Sequence, residues 1–561
     1  MTTGHGGVHA VAAARAHGVS AMFTLSGAHV FPLYDAAVGG SEVVAAEGGP
    51  AAVRASNPRL IDVRHEATAA FAAEATGRLT RVPGLAVVTA GPGVTNVVSP
   101  ITSAKFNGAP LVVIGGRAPD FRAGTGALQE LDQPPLLAPV TKYAGTVHDA
   151  ALIGSSVSEA FARADAAHRG PVFLDIPMDV LYRPIDAATP VAAAREVHLP
   201  DPDLVDEVAA LLAGASHPVL LLSTDVWADG AEVPARRFAE ELGIPVITNG
   251  LGRGILPNGH PLLVTRARST AFREADLVIV AGAPLDFRLG YGVFGAADNP
   301  VPVVQLVDSL DQVALHAKAV AVSVVGDLPI TFEELIDAWT GLVRRPDLTG
   351  WTERLRAIDA AARAEDAVLL RNDSDPIHPA RIYGELLPRL TDDAVVIGDG
   401  GDFVSFAGRF VEPALPGRWL DPGPYGCLGS GVGYAMAASL AHPSSPVVLL
   451  LGDGAAGFSL MDVDSLVRHK MPVVMVMGNN SAWGLEKHPM RLLHGYDVIA
   501  DLNPAVRYDE VVIALGGGGE RVTKPGDIGA AIDRAMASGI PYLLDIATDP
   551  EAMYPRTTMG I

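Results

Sequence analysis

Hydrophobic and polar positions follow two alternating patterns along this chain from end to end. Short runs rich in Val, Ile and Leu, bounded by Gly, Pro, Asp or Asn, are followed by longer Ala-rich stretches with polar residues at helical spacing. Short apolar runs of this kind predict buried parallel strands, and the stretches between them predict crossover helices. The pattern therefore predicts an α/β fold built from parallel sheets.

The predicted strands fall into three groups. The first is SAMFTLSG, RLIDV, GLAVVTAGPG, PLVVIGG and PVFLDIP; the second is PVLLLSTD, IPVITNG, ADLVIVAGAPLD, VPVVQLVDS and AVSVVGD; the third is DAVVIGDGG, PVVLLLGDG, PVVMVMGNN and PYLLDIATD. A Pro- and Ala-rich stretch separates the first two groups, and a polar helical stretch separates the last two. We predict three doubly wound parallel-sheet domains, at residues 1–183, 200–345 and 375–561.

Composition narrows the classes of partner. The chain has 561 residues, a formal net charge of −22 and a single cysteine, Cys427. This acidic balance argues against nucleic acid, and one cysteine excludes a disulfide framework. The sequence shows no apolar run of about 18 residues and no signal peptide, so we expect no membrane partner and a cytoplasmic location. A hydrophobic fraction of 49% predicts apolar surface buried in a homo-oligomer.

Two loops of the third group carry candidate chemistry. Asp453 follows one predicted strand and Asn480 follows the next, with 24 residues between the GDG and NN motifs. Adjacent parallel strands would place these side chains together, and their oxygens suit Mg²⁺, which often takes further ligands from phosphates. Gly454 permits close approach of a phosphate, and the helix start that includes Ala455 offers N–H groups to an anion. We predict a diphosphate and Mg²⁺ site here.

A carboxylate in the first group is open to two interpretations. Glu66 lies near the start of the Ala-rich helix predicted in RHEATAAFAAEATGRLT. A glutamate in the first turn of a helix is stabilised by the helix dipole by about 0.3–1 kcal/mol. A buried carboxylate can instead exchange protons with a bound ligand, which requires a partner site elsewhere in the chain. This stretch alone leaves both interpretations open.

These motifs together resemble one enzyme family. RHEATAAFAAEATGRLT, TAGPGVTN, HPLLVTRARSTAFREADLVIVAG, YGCLGSGVGYAMAA and the GDG–NN pair are similar, in this order, to the thiamine diphosphate enzymes of the acetolactate synthase and pyruvate decarboxylase type. The resemblance implies that Glu66 bonds N1′ of the cofactor's aminopyrimidine ring in a proton relay. It further implies that Asp453, Asn480 and the carbonyl of Ala482 bind Mg²⁺. In the family the site is shared between two chains, which implies a homodimer or homotetramer.

The resemblance also assigns roles around the cofactor. Gly426 is expected at the aminopyrimidine ring, and Leu428 is expected to support the bent shape of the cofactor. The loop GDGGDFVSF implies diphosphate-side contacts, although a plain turn also explains it. Two residues are expected to face the substrate, with a core Phe and a surface Gln as the alternative. The loop residues are Gly400, Gly401 and Asp402, and the substrate-facing residues are Phe106 and Gln129.

The central domain is expected to resemble a nucleotide-binding domain. Biosynthetic acetolactate synthases hold FAD there, whereas oxalyl-CoA decarboxylases and 2-hydroxyacyl-CoA lyases, which the stretch RARSTAFREADLVIVAGAPLDFRLGYG also resembles, hold ADP. Arg268 and Asp308 are the expected contacts for either nucleotide, and surface charge is the alternative. The resemblance leaves the choice between FAD, ADP and an empty domain open.

The resemblance is compatible with two reactions. The full-length resemblance to acetolactate synthase-like chains favours decarboxylation of a 2-oxo acid such as pyruvate and carboligation, a step of branched-chain amino acid biosynthesis. The alternative is cleavage of a 2-hydroxyacyl-CoA to formyl-CoA and a ketone or aldehyde. After Asn480 the chain continues SAWGLEKHPM, in which Glu486 is a candidate acid or base, or else a solvated residue beside Lys487. An oxidase-like enzyme and a non-catalytic homologue are less favoured.

Overall fold

The N-terminal part of the chain forms a six-stranded sheet. The computed structural model describes residues 2–39, 57–192, 194–296 and 299–555. The strands of this sheet are β2 (Ala21–Thr24), β3 (Arg59–Asp62), β4 (Gly84–Val88), β5 (Leu111–Arg117), β6 (Tyr143–Thr146) and β7 (Pro171–Pro177). They lie in the order β3-β2-β4-β5-β7-β6 with parallel pairing throughout. Two further strands, β1 (Thr2–His5) and β8 (Pro184–Ala187), form a separate antiparallel pair.

Helices connect these strands. They are α1 (Gly6–Ala16), α2 (Phe31–Ala37), α3 (Glu66–Thr80), α4 (Pro92–Thr95), α5 (Val98–Phe106), α6 (Pro134–Leu137), α7 (Ile153–Asp165) and α8 (Met178–Leu181). The longest, α3, begins at Glu66, and the ring of His65 caps it by accepting a 3.1 Å hydrogen bond from the N–H of Ala67. The helix start is therefore fixed at the position that the sequence singled out.

The central sheet has five parallel strands. They are β9 (Pro218–Leu222), β10 (Val246–Thr248), β11 (Leu277–Ala281), β14 (Val303–Val307) and β15 (Val320–Val325), in the order β10-β9-β11-β14-β15. A short antiparallel pair, β12 (Gly295–Ala296) and β13 (Asn299–Pro300), lies beside it. The helices are α9 (Pro202–Gly214), α10 (Thr224–Ala228), α11 (Glu232–Leu242), α12 (Arg268–Glu274) and α13 (Leu328–Gly341), and α14 (Thr349–Leu369) leads to the last domain.

The C-terminal sheet has six parallel strands. They are β16 (Val395–Asp399), β17 (Trp419–Leu420), β18 (Val447–Gly452), β19 (Val474–Asn479), β20 (Gly518–Val522) and β21 (Tyr542–Ala547), in the order β17-β16-β18-β19-β21-β20. The helices are α15 (Pro379–Leu386), α16 (Asp402–Phe410), α17 (Gly431–Ala441), α18 (Asp453–Ser459), α19 (Val463–Arg468), α20 (Gly484–His494), α21 (Tyr508–Ala514) and α22 (Ile528–Ala537).

The N- and C-terminal domains share a core through α3 and α17. The rings of Phe71 and Tyr434 meet edge to face with centroids 6.0 Å apart. A Cβ atom on Gly433 would lie 2.8 Å from the carbonyl oxygen of Thr68, so the close approach of the two helices requires glycine at this position. Residues of both helices belong to one continuous cluster of buried apolar side chains.

The predicted fold class is confirmed, since three parallel-sheet α/β domains are present. Each large sheet lies inside one of the three predicted ranges, and the domain boundaries themselves stay predictions. The last predicted range extends to residue 561, of which residues 556–561 lie outside the described residues. Among the described helices none is long and apolar enough to cross a membrane.

Candidate functional site

A cavity of about 250 Å³ lies at the carboxyl edge of the C-terminal sheet. This is the edge at which open α/β sheets bind ligands. Its lining includes every residue of this domain that the sequence proposed for cofactor, metal or acid–base chemistry: Gly400, Gly401, Asp402, Gly426, Leu428, Asp453, Gly454, Ala455, Asn480, Ala482 and Glu486. The structure therefore brings these residues together around one cavity.

Asp453 is the most distinctive group in this cavity. It follows β18 directly, is only 3% exposed, and its Oδ2 has no hydrogen-bond partner. Burial raises the pKa of its carboxyl group to about 7. A buried carboxylate oxygen without a partner is costly unless a cation or proton compensates it. The Asp453 side chain therefore fits a ligand of a divalent cation.

The two adjacent asparagines at the end of β19 have different roles. Asn479 donates a 2.8 Å hydrogen bond from Nδ2 to Asp545 beneath the sheet edge, so it is a structural residue. Asn480 lines the cavity, and its Oδ1 accepts a 3.1 Å hydrogen bond from the N–H of Ala482. Ser481 between them has a positive φ of 53°, which turns the chain so that Asn480 and Ala482 both face the cavity. The amide oxygen and this turn match the donor set that Mg²⁺ prefers.

Glycine positions shape the walls of the cavity. A Cβ atom on Gly454 would lie 2.5 Å from the ring of Trp483, which packs edge to face with Phe458. Gly400 and Gly426 have φ angles of 138° and 74°, which side-chain-bearing residues rarely adopt. The backbone therefore reaches the cavity surface at these points, where a diphosphate can accept hydrogen bonds from its N–H groups.

Asp399, at the end of β16, is a site residue that sequence reasoning missed. It is 1% exposed and accepts hydrogen bonds from the N–H groups of Gly429 at 3.0 Å and Gly431 at 2.8 Å. Burial raises the pKa of its carboxyl group to about 7. These bonds fix the loop that carries Leu428. The aspartate before GG in the GDGG motif is the sequence signal for this residue.

Asp402 and Glu486 both line the cavity. The carboxylate of Asp402 accepts 3.2 Å hydrogen bonds from the N–H of Tyr554. Glu486 lies in the first turn of α20 and is exposed at the cavity. Its neighbour Lys487 is buried and binds Asp501 at 2.7 Å. Lys487 therefore has a partner other than Glu486, and Glu486 is an exposed residue of the cavity lining.

Glu66 lies in the N-terminal domain, outside the lining of this cavity. It is 7% exposed, and its Oε2 accepts a 2.9 Å hydrogen bond from Nδ2 of Asn96. Burial and this single oriented donor favour the interpretation of Glu66 as more than a helix-start charge. Sequence reasoning missed Asn96, although it belongs to the quoted motif TAGPGVTN.

Phe106 and Gln129 occupy separate places. Phe106 is 53% exposed, and its ring stacks on that of Tyr425 with centroids 5.1 Å apart, which brings it beside the loop of Gly426. Gln129 has a positive φ of 61° and packs against Gly91 in the TAGPG turn. Neither side chain is a core filler or a plain surface residue. Gln133, which the sequence did not single out, supports this turn by accepting a 2.9 Å hydrogen bond from the N–H of Gly91.

Arg268 and Asp308 both lie in the central domain. Arg268 donates a 2.9 Å hydrogen bond to the carbonyl of Arg288, and burial together with nearby arginines lowers its pKa to about 10. Asp308 is 2% exposed and lies 3.6 Å from Nδ1 of His168. The surface-charge interpretation does not describe either residue, since both side chains are engaged in the interior.

The fold and the cavity define a class of cofactor-dependent enzyme, and comparison of the sequence with known proteins gives its family. The chain belongs to the thiamine pyrophosphate enzymes: residues 5–136 match the N-terminal TPP binding domain, residues 205–335 the central domain and residues 399–546 the C-terminal TPP binding domain. Thiamine pyrophosphate is the thiamine diphosphate named above. Thus the predicted family and the binding of this cofactor are confirmed.

Similar proteins carry two kinds of name. The acetolactate synthase large subunit IlvG of Mycobacterium tuberculosis is 46% identical over 546 residues, which cover 97% of this chain and 95% of the relative. The 2-hydroxyacyl-CoA lyase 2 of Caenorhabditis elegans is 33% identical and covers 95% of this chain and 87% of the relative. The human 2-hydroxyacyl-CoA lyase 2 is 33% identical over 85% of this chain and 79% of the relative.

Proposed function

We propose that this enzyme decarboxylates a 2-oxo acid such as pyruvate and joins the remaining acyl unit to a second 2-oxo acid, as an acetolactate synthase of branched-chain amino acid biosynthesis does. The observation that carries the proposal is the 46% identity to the mycobacterial synthase subunit over 97% of the chain. The more distant lyases share the family domains but less of the sequence.

The proposed metal is Mg²⁺, held by Asp453, Asn480 and the carbonyl of Ala482. The unpartnered Oδ2 of Asp453 and the shared cavity support this assignment. When bound, thiamine diphosphate supplies a carbanion at its thiazolium carbon and an electron sink for decarboxylation. The N–H groups at the start of α18 would face the diphosphate, and Leu428, held by the Asp399 bonds, would support the thiazolium.

The proposed assembly is a cytoplasmic homodimer or homotetramer with a site shared between subunits. Glu66 does not line the cavity that Asp453 lines in the same chain. In the proposed assembly the partner subunit's Glu66 completes the site, where its carboxylate holds the proton exchanged with the aminopyrimidine ring. Asn96 orients that carboxylate through its 2.9 Å hydrogen bond. Phe106, stacked on Tyr425, and Gln129 are the proposed substrate-side residues.

Product analysis tests the proposed reaction. The purified protein is incubated with thiamine diphosphate, Mg²⁺ and pyruvate, and the products are identified by mass spectrometry. We expect acetolactate and CO₂ in a ratio of one to one. Acetate or acetyl phosphate with reduced electron acceptor, or no product while the cofactor binds, would contradict the synthase reaction.

One observation favours a second candidate, cleavage of a 2-hydroxyacyl-CoA to formyl-CoA and a ketone or aldehyde. Glu486 lines the cavity without pairing to Lys487, so it is available as a base for a substrate hydroxyl group. The same preparation is assayed with 2-hydroxyacyl-CoA. If formyl-CoA appears, Glu486→Gln should lower its rate by about 100-fold or more, because general acid–base groups contribute about that much.

A matched control accompanies this variant. Glu510→Gln changes an exposed glutamate that pairs with Arg507 outside the cavity, and it should leave either reaction unchanged. If acetolactate is the product instead, Glu486→Gln should retain most of the activity, because 2-oxo acids, unlike a 2-hydroxyacyl-CoA, carry no substrate hydroxyl group that must lose its proton for the C–C bond to break.

A further inference from the structure

The central sheet has a defined place for a nucleotide. In the order β10-β9-β11-β14-β15, the second strand of the domain lies on one side of the first strand, β9, and all later strands lie on its other side. The direction in which the chain adds strands to the sheet therefore reverses between β9 and β11. Sheets of this order bind flavin nucleotides in the crevice at that reversal, outside the carboxyl ends of the strands. There the phosphates accept hydrogen bonds from N–H groups of the loop after the first strand and of the helix that follows it.

In this chain the backbone closes that crevice. The N–H of Ser223 donates to the carbonyl of Ala281 and the N–H of Asp225 donates to the carbonyl of Gly282, both at 3.1 Å. A Cβ atom on Gly282 would lie only 2.7 Å from the backbone nitrogen of Val226. The two loops therefore touch, and these two N–H groups are not free to bind a phosphate.

Side chains fill the space above the two loops. Asp225 and Asp308 follow the ends of β9 and β14 and are 4% and 2% exposed. His168, from the loop before β7 of the N-terminal domain, places its Nδ1 3.7 Å from Oδ2 of Asp225 and 3.6 Å from Oδ1 of Asp308. Gly108 packs closely against the ring of His168, since a Cβ atom on Gly108 would lie 2.6 Å from Cε1 of His168. We call these three residues the His168–Asp225–Asp308 cluster.

The charges around this cluster do not suit a diphosphate. Two carboxylates stand where the phosphates would lie, and the nearby guanidinium of Arg169 is engaged by Asp229 at 3.4 Å and by Asp308 at 3.8 Å. The metal-ligating atoms of the cluster lie within 4.8 Å of one another. The guanidinium of Arg169 lies beside the cluster and brings one positive charge to it, although neither oxygen of Asp308 accepts a hydrogen bond. An anionic nucleotide would have to displace ion pairs that hold two domains together.

We propose that the central domain of this protein is closed to FAD and ADP, and that the His168–Asp225–Asp308 cluster takes their place as the joint between the N-terminal and central domains. The residues present do not fit the nucleotide that the family suggests. Arg268 and Asp308 are then internal contacts of the fold rather than nucleotide ligands.

Nucleotide analysis of the native protein tests closure without any variant. The purified holoenzyme is denatured, and released FAD and ADP are quantified by mass spectrometry. FAD and ADP are then titrated separately by calorimetry, with thiamine diphosphate and Mg²⁺ as the positive control on the same preparation. We expect no more than trace nucleotide and no saturable heat. One FAD or ADP released per chain, or saturable binding of either, would overturn the proposal.

Variants of the cluster test the domain joint. His168→Ala leaves two buried carboxylates facing each other, so we expect a fall of several degrees in Tm. His148→Ala, at an exposed histidine paired with Asp120, is the matched control. Adding Asp225→Asn to His168→Ala removes one of the two charges and should recover part of the loss. A fall no larger than that of the control, or no recovery in the double variant, would contradict the joint.

Discussion

The amide Nδ2 of Asn96 donates a 2.9 Å hydrogen bond to Oε2 of Glu66. Glu66 opens α3 and Asn96 follows α4, so the bond joins the loops at the carboxyl edges of β3 and β4. Because the carboxylate is otherwise buried, this donor sets the direction in which its second oxygen can meet a ligand. The orientation of Glu66 is thus set by contacts within the N-terminal domain.

Glu66→Gln should lower kcat by about 100-fold or more, because a proton-transfer group contributes about that much and an amide cannot exchange the proton. Thiamine diphosphate affinity, followed by calorimetry, should change little, since the diphosphate and metal residues lie in the other domain. Glu159→Gln, at an exposed glutamate paired with Arg163, is the control. Retention of full activity by Glu66→Gln would remove Glu66 from the mechanism.

Asp453→Asn should weaken Mg²⁺-dependent binding of thiamine diphosphate by about 10-fold or more, because the variant removes the anionic ligand of the proposed cation. Asp392→Asn, at an exposed aspartate, should not alter binding. Calorimetric titrations with and without Mg²⁺ separate the metal effect from the cofactor effect. If Asp453→Asn lost no Mg²⁺ dependence, the metal assignment would be wrong.

Gly454→Ala should destabilise the cofactor site, because its new Cβ would stand 2.5 Å from the Trp483 ring. Overpacking of this kind costs about 1–3 kcal/mol. The double variant Gly454→Ala with Trp483→Phe should recover part of the cofactor affinity, since the smaller ring leaves room for the methyl group. Cofactor titration of both single variants and the double variant measures this coupling, and strict additivity would show that the two residues do not interact.

His442→Gln should change how stability depends on pH. Burial lowers the pKa of His442 in the folded protein to about 4, whereas the unfolded chain binds a proton near the ordinary pKa of 6.5. The unfolded state therefore gains protons first as the pH falls from about 6.5 to about 4, and the native protein loses stability over this window.

Thermal unfolding measured at several pH values checks this effect. Between pH 6.5 and 4, the Tm of the native protein should fall further than that of His442→Gln, whereas above pH 7 the two slopes should agree. His494→Gln, at an exposed histidine, should behave like the native protein. Equal slopes for the native protein and His442→Gln between pH 4 and 6.5 would contradict burial of a neutral His442.

The sequence predicts the buried strands and the edge strands β3, β10 and β15, but it misses the edge strands β6, β17 and β20. The apolar runs of β4, β18 and β19 are buried on both faces, so their composition alone identifies them. The edge strand β6 reads YAGT and the edge strand β20 reads GGERV, and both are mostly half-exposed. Neither has the β-branched pattern that marks a central strand, because only one neighbour and one sheet face constrain it.

The site is predictable where the loops after neighbouring strands supply it and less so where distant segments meet. Asp453 and Asn480 follow neighbouring strands, so their spacing places both at one edge. Asp399 and Asn96 act on residues 30 positions away, Gly429 and Glu66, and His168 meets Asp308 from another domain. No local pattern specifies such contacts, since they depend on how loops and domains come together.

The N- and C-terminal sheets have the same strand order, and α3 and α17 both connect the second strand of their sheet to the third. One subunit is therefore built like two copies of a single module that face each other through equivalent helices. Just past the third strand, one module carries Asp453, whereas the other carries Thr89, whose hydroxyl group bonds His29. Such a repeat, with a charged turn in one half and a neutral turn in the other, confines the proposed cation site to one half and leaves the other half to carry Glu66.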